Sequence, residues 1–251
     1  MRVWQAHDVT TDLALTLALA SLAAFALAYL SAVTGFGGGV LLLPVFTALF
    51  GLRAAIPTLT ITQLASNAGR VWFNRSQLQW HLIRRFSAGA VPFALAGALV
   101  FVTAPLAPLQ RLLGAFLLVV VAYRRLHPHP HKPSDRAFVG VGAASGFGSA
   151  LLGSVGPLTA PFFLAYGLSR GAYIGTEAAC ALVLHMTKLV AYGAGALLTP
   201  SVLLYGLVLT PATVAGSWLG KRTVSRLSEE RFVLLVEIGL VVAGLFLLFS
   251  P

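Results

Sequence analysis

The chain has 251 residues, of which 58% are hydrophobic and only 10% are charged, and its formal net charge is +10. Soluble domains carry about 25% charged residues, so this composition excludes a soluble globular domain and predicts contact with lipid. Inside a bilayer the backbone must satisfy its own hydrogen bonds, which leaves helices or a closed barrel. The apolar runs are long and do not alternate, so they predict an all-α, polytopic helical membrane protein.

The positive charge lies almost entirely between the apolar runs, where lysine and arginine contact lipid headgroups and set the orientation of the chain. This placement argues for membrane lipids and against nucleic acid as a partner. The lone cysteine, Cys180, permits no intrachain disulfide. The first long apolar run reaches Val33, which is too long for a signal peptide, so we expect no cleaved leader. We also expect no cofactor.

The apolar runs, taken in chain order, predict the same series of elements twice. The first half contains a long run, a glycine break, a run too short to span a bilayer upright, and three spanning segments. These are Leu13–Val33, residues 35–39, Val40–Phe50, Ala54–Phe73, Phe86–Thr103 and Leu109–Tyr123. The second half contains Phe138–Leu152, a break at residues 153–157, a short run to Tyr166, Ala172–Tyr192, Val202–Leu219 and Phe232–Phe249.

Matching residues support an internal repeat. Gly39, Pro44 and Gly51 in the first half correspond to Gly156, Pro161 and Gly167 in the second. Self-similarity of this kind predicts two structural repeats, residues 1–126 and residues 137–251, joined by a linker at residues 127–136.

The charge pattern predicts that the two repeats are inverted. The loops at residues 75–85, 124–136 and 221–231 are basic and therefore cytoplasmic, whereas the loop at residues 193–201 carries no charge and is external. Equivalent loops of the two halves then lie on opposite sides, and both termini are external. The first element of each half begins and ends on one side, so it is either re-entrant or crosses twice. Inverted repeats are typical of secondary transporters.

The glycine breaks are the first candidate substrate site. Their candidate residues are Gly37, Gly38 and Gly39 in the first half, and Ser154 and Gly156 in the second. Irregular backbone at membrane depth is tolerated where it is buried in protein or faces a cavity, and free N–H groups at a helix start favour an anion. The alternative is close helix packing by small residues.

Polar residues inside the spanning segments are the second candidate substrate site. Gln63, Asn67, Arg70 and Asn74 are spaced to share one helix face, and Lys188 matches Arg70 in the second half. A charge at this depth is costly, so Asn67, Arg70 and Lys188 are candidate substrate ligands. The alternative for the two cations is that their long side chains extend to the lipid headgroups.

Glu177 and His185 are the candidate proton carriers, since both are titratable and lie on the same predicted helix as Lys188. The alternative for Glu177 is a favourable interaction with the helix dipole. Ser154 with His185 also suggests a nucleophile and a base of an intramembrane enzyme. The sequence around Ser154 lacks the strand-to-helix elbow of such nucleophiles, so we do not expect an enzyme.

The linker contains three histidines that alternate with prolines, His127, His129 and His131. Alternating histidines can bind metal. A flexible linker is a poor preformed site, however, and we predict no metal centre there.

The Gly-Phe-Gly-Gly-Gly-Val-Leu-Leu-Leu-Pro stretch at residues 35–44 resembles the first signature of the TauE/SafE sulfite-exporter family, also called the toluene-sulfonate uptake permease family. The Gly220-Lys221-Arg222 turn and residues 227–230 are similar to the end of that family's second repeat. The second glycine signature is interrupted by Ser154, Val155 and Pro157.

This resemblance implies a transporter of the bacterial plasma (inner) membrane. Its substrate would be a small sulfur-containing anion such as sulfite or an organosulfonate, and the proton gradient is the expected energy source. The alternative is an anion channel on the same scaffold. The sequence does not decide between a monomer and a homo-oligomer.

Overall fold

A computed structural model of the chain describes residues 2–34, 39–101, 111, 114–115, 118–119, 121–122, 125–126, 132–153, 156–224 and 226–249. Within these ranges every regular element is helical, as predicted. The helices are α1 (Arg2–Thr34), α2 (Gly39–Phe50), α3 (Leu52–Phe73), α4 (Trp80–Val100), α5 (Ala137–Leu152), α6 (Gly156–Tyr166), α7 (Arg170–Ala194), α8 (Pro200–Val224) and α9 (Glu229–Phe249). A 3-10 turn at Arg75–Gln77 precedes α4, and the described residues between 111 and 126 are also helical.

The order of elements in the second half follows that of the first. In each half a helix is followed by a short proline-containing helix and then by longer helices. The turns after the two short helices are built alike, because Gly51 and Gly167 both adopt a positive φ, 74° and 80°. Glycine is favoured there since it has no Cβ to clash in the left-handed region.

Three helices in the described part of the chain, α4, α7 and α8, are long and apolar enough to cross a membrane. Their ends extend beyond the apolar runs. α4 begins at Trp80 rather than Phe86, so Arg84 and Arg85 belong to the helix, and α8 continues to Val224 with two basic residues in its last turn. Arginine and lysine are good helix formers, and cations near a helix C-terminus are favourable, so the backbone stays helical where the hydropathy falls.

The two halves are interlocked through glycine contacts. The first helix of each half packs along the fourth helix of the other half, α5 on α4 and α1 on α8. Both contacts bring the backbones together: a Cβ on Gly142 would lie 2.0 Å from the Phe86 carbonyl oxygen, and a Cβ on Gly216 would lie 2.2 Å from that of Phe25. α3 and α7 pack against each other between these pairs. Close approach at small residues is the usual packing mode of membrane helices.

The start of α5 and the end of α6 lie at the same end of the molecule. The Tyr166 hydroxyl donates to Asp135 Oδ1 at 2.7 Å, Arg85 forms an ion pair with Asp135 Oδ2, and His81 Nε2 lies 3.8 Å from that oxygen. The hydrogen bond from Tyr166, followed by the Arg85 guanidinium, holds the pKa of the Asp135 carboxyl below its usual range. The chain therefore goes out along α5 and returns along α6.

Candidate functional site

A buried ion pair joins the two central helices. Arg70 Nη2 in the last turns of α3 lies 2.9 Å from Glu177 Oε2 in α7, and the two residues are only 7% and 2% exposed. The pair links the third helix of one half to the third helix of the other. Removal of one partner from a buried pair leaves an uncompensated charge in the protein interior, so each of the two residues stabilises the charged form of the other.

Asn67 holds the Arg70 guanidinium in place. Arg70 Nη1 donates to Asn67 Oδ1 at 3.0 Å, and the Asn67 amide donates in turn to the Gln63 carbonyl at 2.9 Å. The Asn74 amide donates to the Arg70 carbonyl at 2.8 Å. The four polar residues therefore share one face of α3, as their spacing predicts, and Arg70 is oriented before any ligand binds.

The N-terminus of α6 lies beside the same carboxylate. The Thr159 hydroxyl, in the first turn of α6, donates to the Gly156 carbonyl at 3.0 Å, and the Thr159 side chain lies near Glu177. The first N–H groups of a helix lack intrahelical acceptors and favour a negative charge. The second glycine break, a predicted substrate site, therefore lies beside Arg70 and Glu177, which the sequence predicts separately as a substrate ligand and a proton carrier.

An open groove reaches Arg70 from the surface. The Ser66 and Ser217 hydroxyls, 2.6 Å apart, join α3 to α8 in its wall. The exposed Lys221 lines the groove too, and its Nζ lies 4.1 Å from the centre of the Phe73 ring. The groove thus has one exposed and one buried cation, an arrangement that attracts anions.

Lys188 belongs to a second polar group on α7. At the helical rise of 1.5 Å per residue, it lies about 16 Å along the helix from Glu177. Its Nζ donates to the Gly153 carbonyl at 2.9 Å and to the Ser149 carbonyl at 3.3 Å. The residue is 0% exposed, so its side chain does not extend to the headgroups. His185 is also buried, one turn before Lys188, and its Nδ1 has no hydrogen-bond partner among the described residues. The matched cations Arg70 and Lys188 therefore have different partners.

The sequence matches the sulfite exporter TauE/SafE family over residues 20–247. The chain belongs to this family. The predicted resemblance is thereby confirmed, and membership of a transporter family with apolar helices makes the chain an integral membrane protein. No curated protein and no solved structure shows a significant match.

Three predicted site residues of this exporter-family member, Gly37, Gly38 and Ser154, lie outside the described ranges. The three linker histidines, where no metal centre is predicted, lie outside them too. Gly39 is the first residue of α2, and the buried Gly156 is the first residue of α6. Among the described residues no group of three metal-ligating side chains occurs.

Sequence reasoning missed Thr159 and Tyr192 at these sites, and it also missed Glu237 elsewhere, in α9. Thr159 and Tyr192 carry no signal of their own, because a hydroxyl inside an apolar run is common in membrane helices. Glu237 does carry one: it is an acid inside the apolar run of α9, and its Oε2 lies 2.8 Å from Arg125 Nη2. The criterion that selected Glu177 also selects Glu237.

Proposed function

We propose that the chain is a secondary transporter of a small sulfur oxyanion, such as sulfite or an organosulfonate, coupled to protons. One observation carries this proposal. The Glu177 carboxylate lies against the Arg70 guanidinium and beside the first turn of α6, which is the environment that a bound oxyanion requires.

The ion pair offers a way to couple an anion to a proton. Carboxylates and sulfur oxyanions both accept hydrogen bonds from a guanidinium through two oxygens. A bound oxyanion and a charged Glu177 repel each other when they share Arg70. A proton on Glu177 removes the competing charge and releases the guanidinium for the substrate. The proton and the anion then bind together and leave together, and their gradients set the direction of net transport.

The architecture supports alternating access around this centre. Arg70 and Glu177 lie on equivalent helices of two halves with the same element order, which we interpret as inverted repeats of residues 1–126 and 137–251. Movement of one half against the other exposes a central site to each side in turn. We assign Asn67 and the glycine breaks, including Gly39 and Gly156, to the substrate path, and His185 to a second proton step.

A flux assay in proteoliposomes tests this function. With radiolabelled sulfite, we expect an inward proton gradient to drive uptake against the gradient of the anion. Glu177→Gln should abolish that dependence on the proton gradient, because the residue at position 177 can no longer exchange a proton. Flux that only dissipates the gradient of the anion in both proteins would identify a channel instead, and chemically altered sulfite would identify an enzyme.

The proposed orientation places both termini outside and the linker at residues 127–136 in the cytoplasm of a bacterial cell, since the basic loops are then internal. Ser134 is exposed and suits a labelling test. In a Cys180→Ala background, Ser134→Cys should resist a membrane-impermeant thiol reagent in sealed cells and react once the cells are opened. Rapid labelling in sealed cells would reverse the orientation.

A further inference from the structure

The carboxyl end of α5 stops inside the protein, at the second glycine break. The last four carbonyls of a helix usually lack an intrahelical donor, and in the interior of a membrane protein no water is available to donate to them. Here Ala150 and Leu151 are at most 1% exposed, and Gly153 is also buried. The Ser149 carbonyl accepts from the Gly153 N–H at 2.9 Å, whereas the Ala150 and Gly153 carbonyls need donors from another element.

α7 supplies those donors through two side chains. Lys188 Nζ donates to the Gly153 and Ser149 carbonyls, and the Tyr192 hydroxyl donates to the Ala150 carbonyl at 3.0 Å. The two residues are one turn apart on α7, so both can donate hydrogen bonds to the same end of α5. A cation is also favoured at a helix C-terminus, where the dipole is negative. We call Lys188 and Tyr192 the α5 lock.

The repeat explains why Lys188 binds carbonyls whereas Arg70 binds a carboxylate. In the register that matches Arg70 with Lys188, Glu177 of α7 corresponds to Leu59 of α3. Leu59 does lie at the second break, since a Cβ on Gly153 would be 3.1 Å from Leu59 Cδ2. The first half thus has an apolar residue, Leu59, where the second half has the acid Glu177. Lys188 therefore has no carboxylate opposite it among the described residues and donates to backbone carbonyls at the break instead.

We propose that Lys188 and Tyr192 are positioning residues that fix the carboxyl end of α5 on α7 and thereby place the N-terminus of α6 against Glu177. Only two residues separate Gly153, where the lock acts, from Gly156, where α6 begins. Lys188 then acts on the transport site through the backbone of the break and does not touch the anion. The expected effect on transport rests on the proposed function, whereas the hydrogen bonds of the α5 lock do not depend on it.

A thiol reporter at the break tests the lock without any transport. Ser149 is 1% exposed and its hydroxyl has no hydrogen-bond partner among the described residues, so Ser149→Cys in a Cys180→Ala background is a close substitute. We expect slow reaction with a small methanethiosulfonate reagent. Lys188→Met or Tyr192→Phe should each raise that rate about tenfold or more, because each removes a donor from buried carbonyls. Tyr205→Phe, whose ring stacks on Phe50 away from the break, should leave it unchanged.

The flux assay separates a positioning role from direct binding. If the α5 lock positions α6, Lys188→Met and Tyr192→Phe lower the maximal flux and shift its pH profile in the same direction, and Lys188→Arg restores part of both. A direct ligand would behave differently: Lys188→Met alone would raise the half-saturation concentration and Tyr192→Phe would be silent. That result, or unchanged thiol reactivity in both variants, overturns the lock. Absence of sulfite flux in the parent protein would refute the proposed function and leave the thiol result standing.

Discussion

Arg70→Gln alone is expected to destabilise the protein strongly, whereas Arg70→Gln combined with Glu177→Gln should leave it close to the wild-type stability. The single variant leaves the Glu177 carboxylate buried without its partner, which costs about 3–5 kcal/mol. The double variant removes both charges, so no uncompensated charge is left buried. Thermal unfolding in detergent measures both effects.

The two variants should differ in stability but not in their affinity for the anion. Both variants lack the guanidinium, and a hydrogen bond to a charged group contributes about 1.5–3 kcal/mol, so the half-saturation concentration for the anion should rise roughly tenfold to a hundredfold in each. The double variant is the decisive one, because we expect its fold to stay intact. Arg75→Gln serves as the control, since Arg75 is exposed and its guanidinium donates to the Trp72 carbonyl. Wild-type affinity in the double variant would mean that backbone N–H groups at the breaks hold the anion.

The sequence predicts the elements of this fold well because each depends on local properties. Hydropathy locates α4, α7 and α8, the helices of the described part that are long and apolar enough to cross a membrane. The spacing of Asn67 and Arg70 places them on one face of α3, and matched glycines mark the turns at Gly51 and Gly167. The helix ends are less predictable, since basic residues continue α4 and α8 beyond the apolar runs.

The partners of the polar residues are not predictable from the sequence in the same way. Arg70 and Lys188 occupy matching positions, so their spacing gives them the same role. The structure separates them because the residues that face them come from distant parts of the chain: Glu177 on α7 faces Arg70, and the carbonyls of α5 face Lys188. The comparison of Leu59 with Glu177 explains this difference only after the contacts are known.

Gly142→Leu is expected to prevent stable assembly, whereas Gly140→Leu on the same helix should be tolerated. A Cβ on Gly142 would lie 2.0 Å from the Phe86 carbonyl oxygen and 3.1 Å from the Ala90 backbone nitrogen. Backbone atoms cannot move aside as a flexible side chain does, so α4 and α5 must separate. Overpacking of this kind typically costs about 1–3 kcal/mol, and a full leucine side chain at a backbone contact exceeds that range. A Cβ on Gly140, by contrast, would have no neighbour within 4 Å.

The same substitution at the equivalent contact extends the test to the interlocked arrangement of the halves. A Cβ on Gly216 of α8 would lie 2.2 Å from the Phe25 carbonyl oxygen of α1, so Gly216→Leu should match Gly142→Leu. The monodisperse fraction after detergent extraction, followed by the thermal midpoint, measures the effect. Gly140→Leu should keep both near wild type, since its side chain only adds apolar surface on an exposed face. Equal behaviour of Gly140→Leu and Gly142→Leu would contradict the close α4–α5 contact. Loss at Gly142 without loss at Gly216 would show that only one of the two pairs holds the halves together.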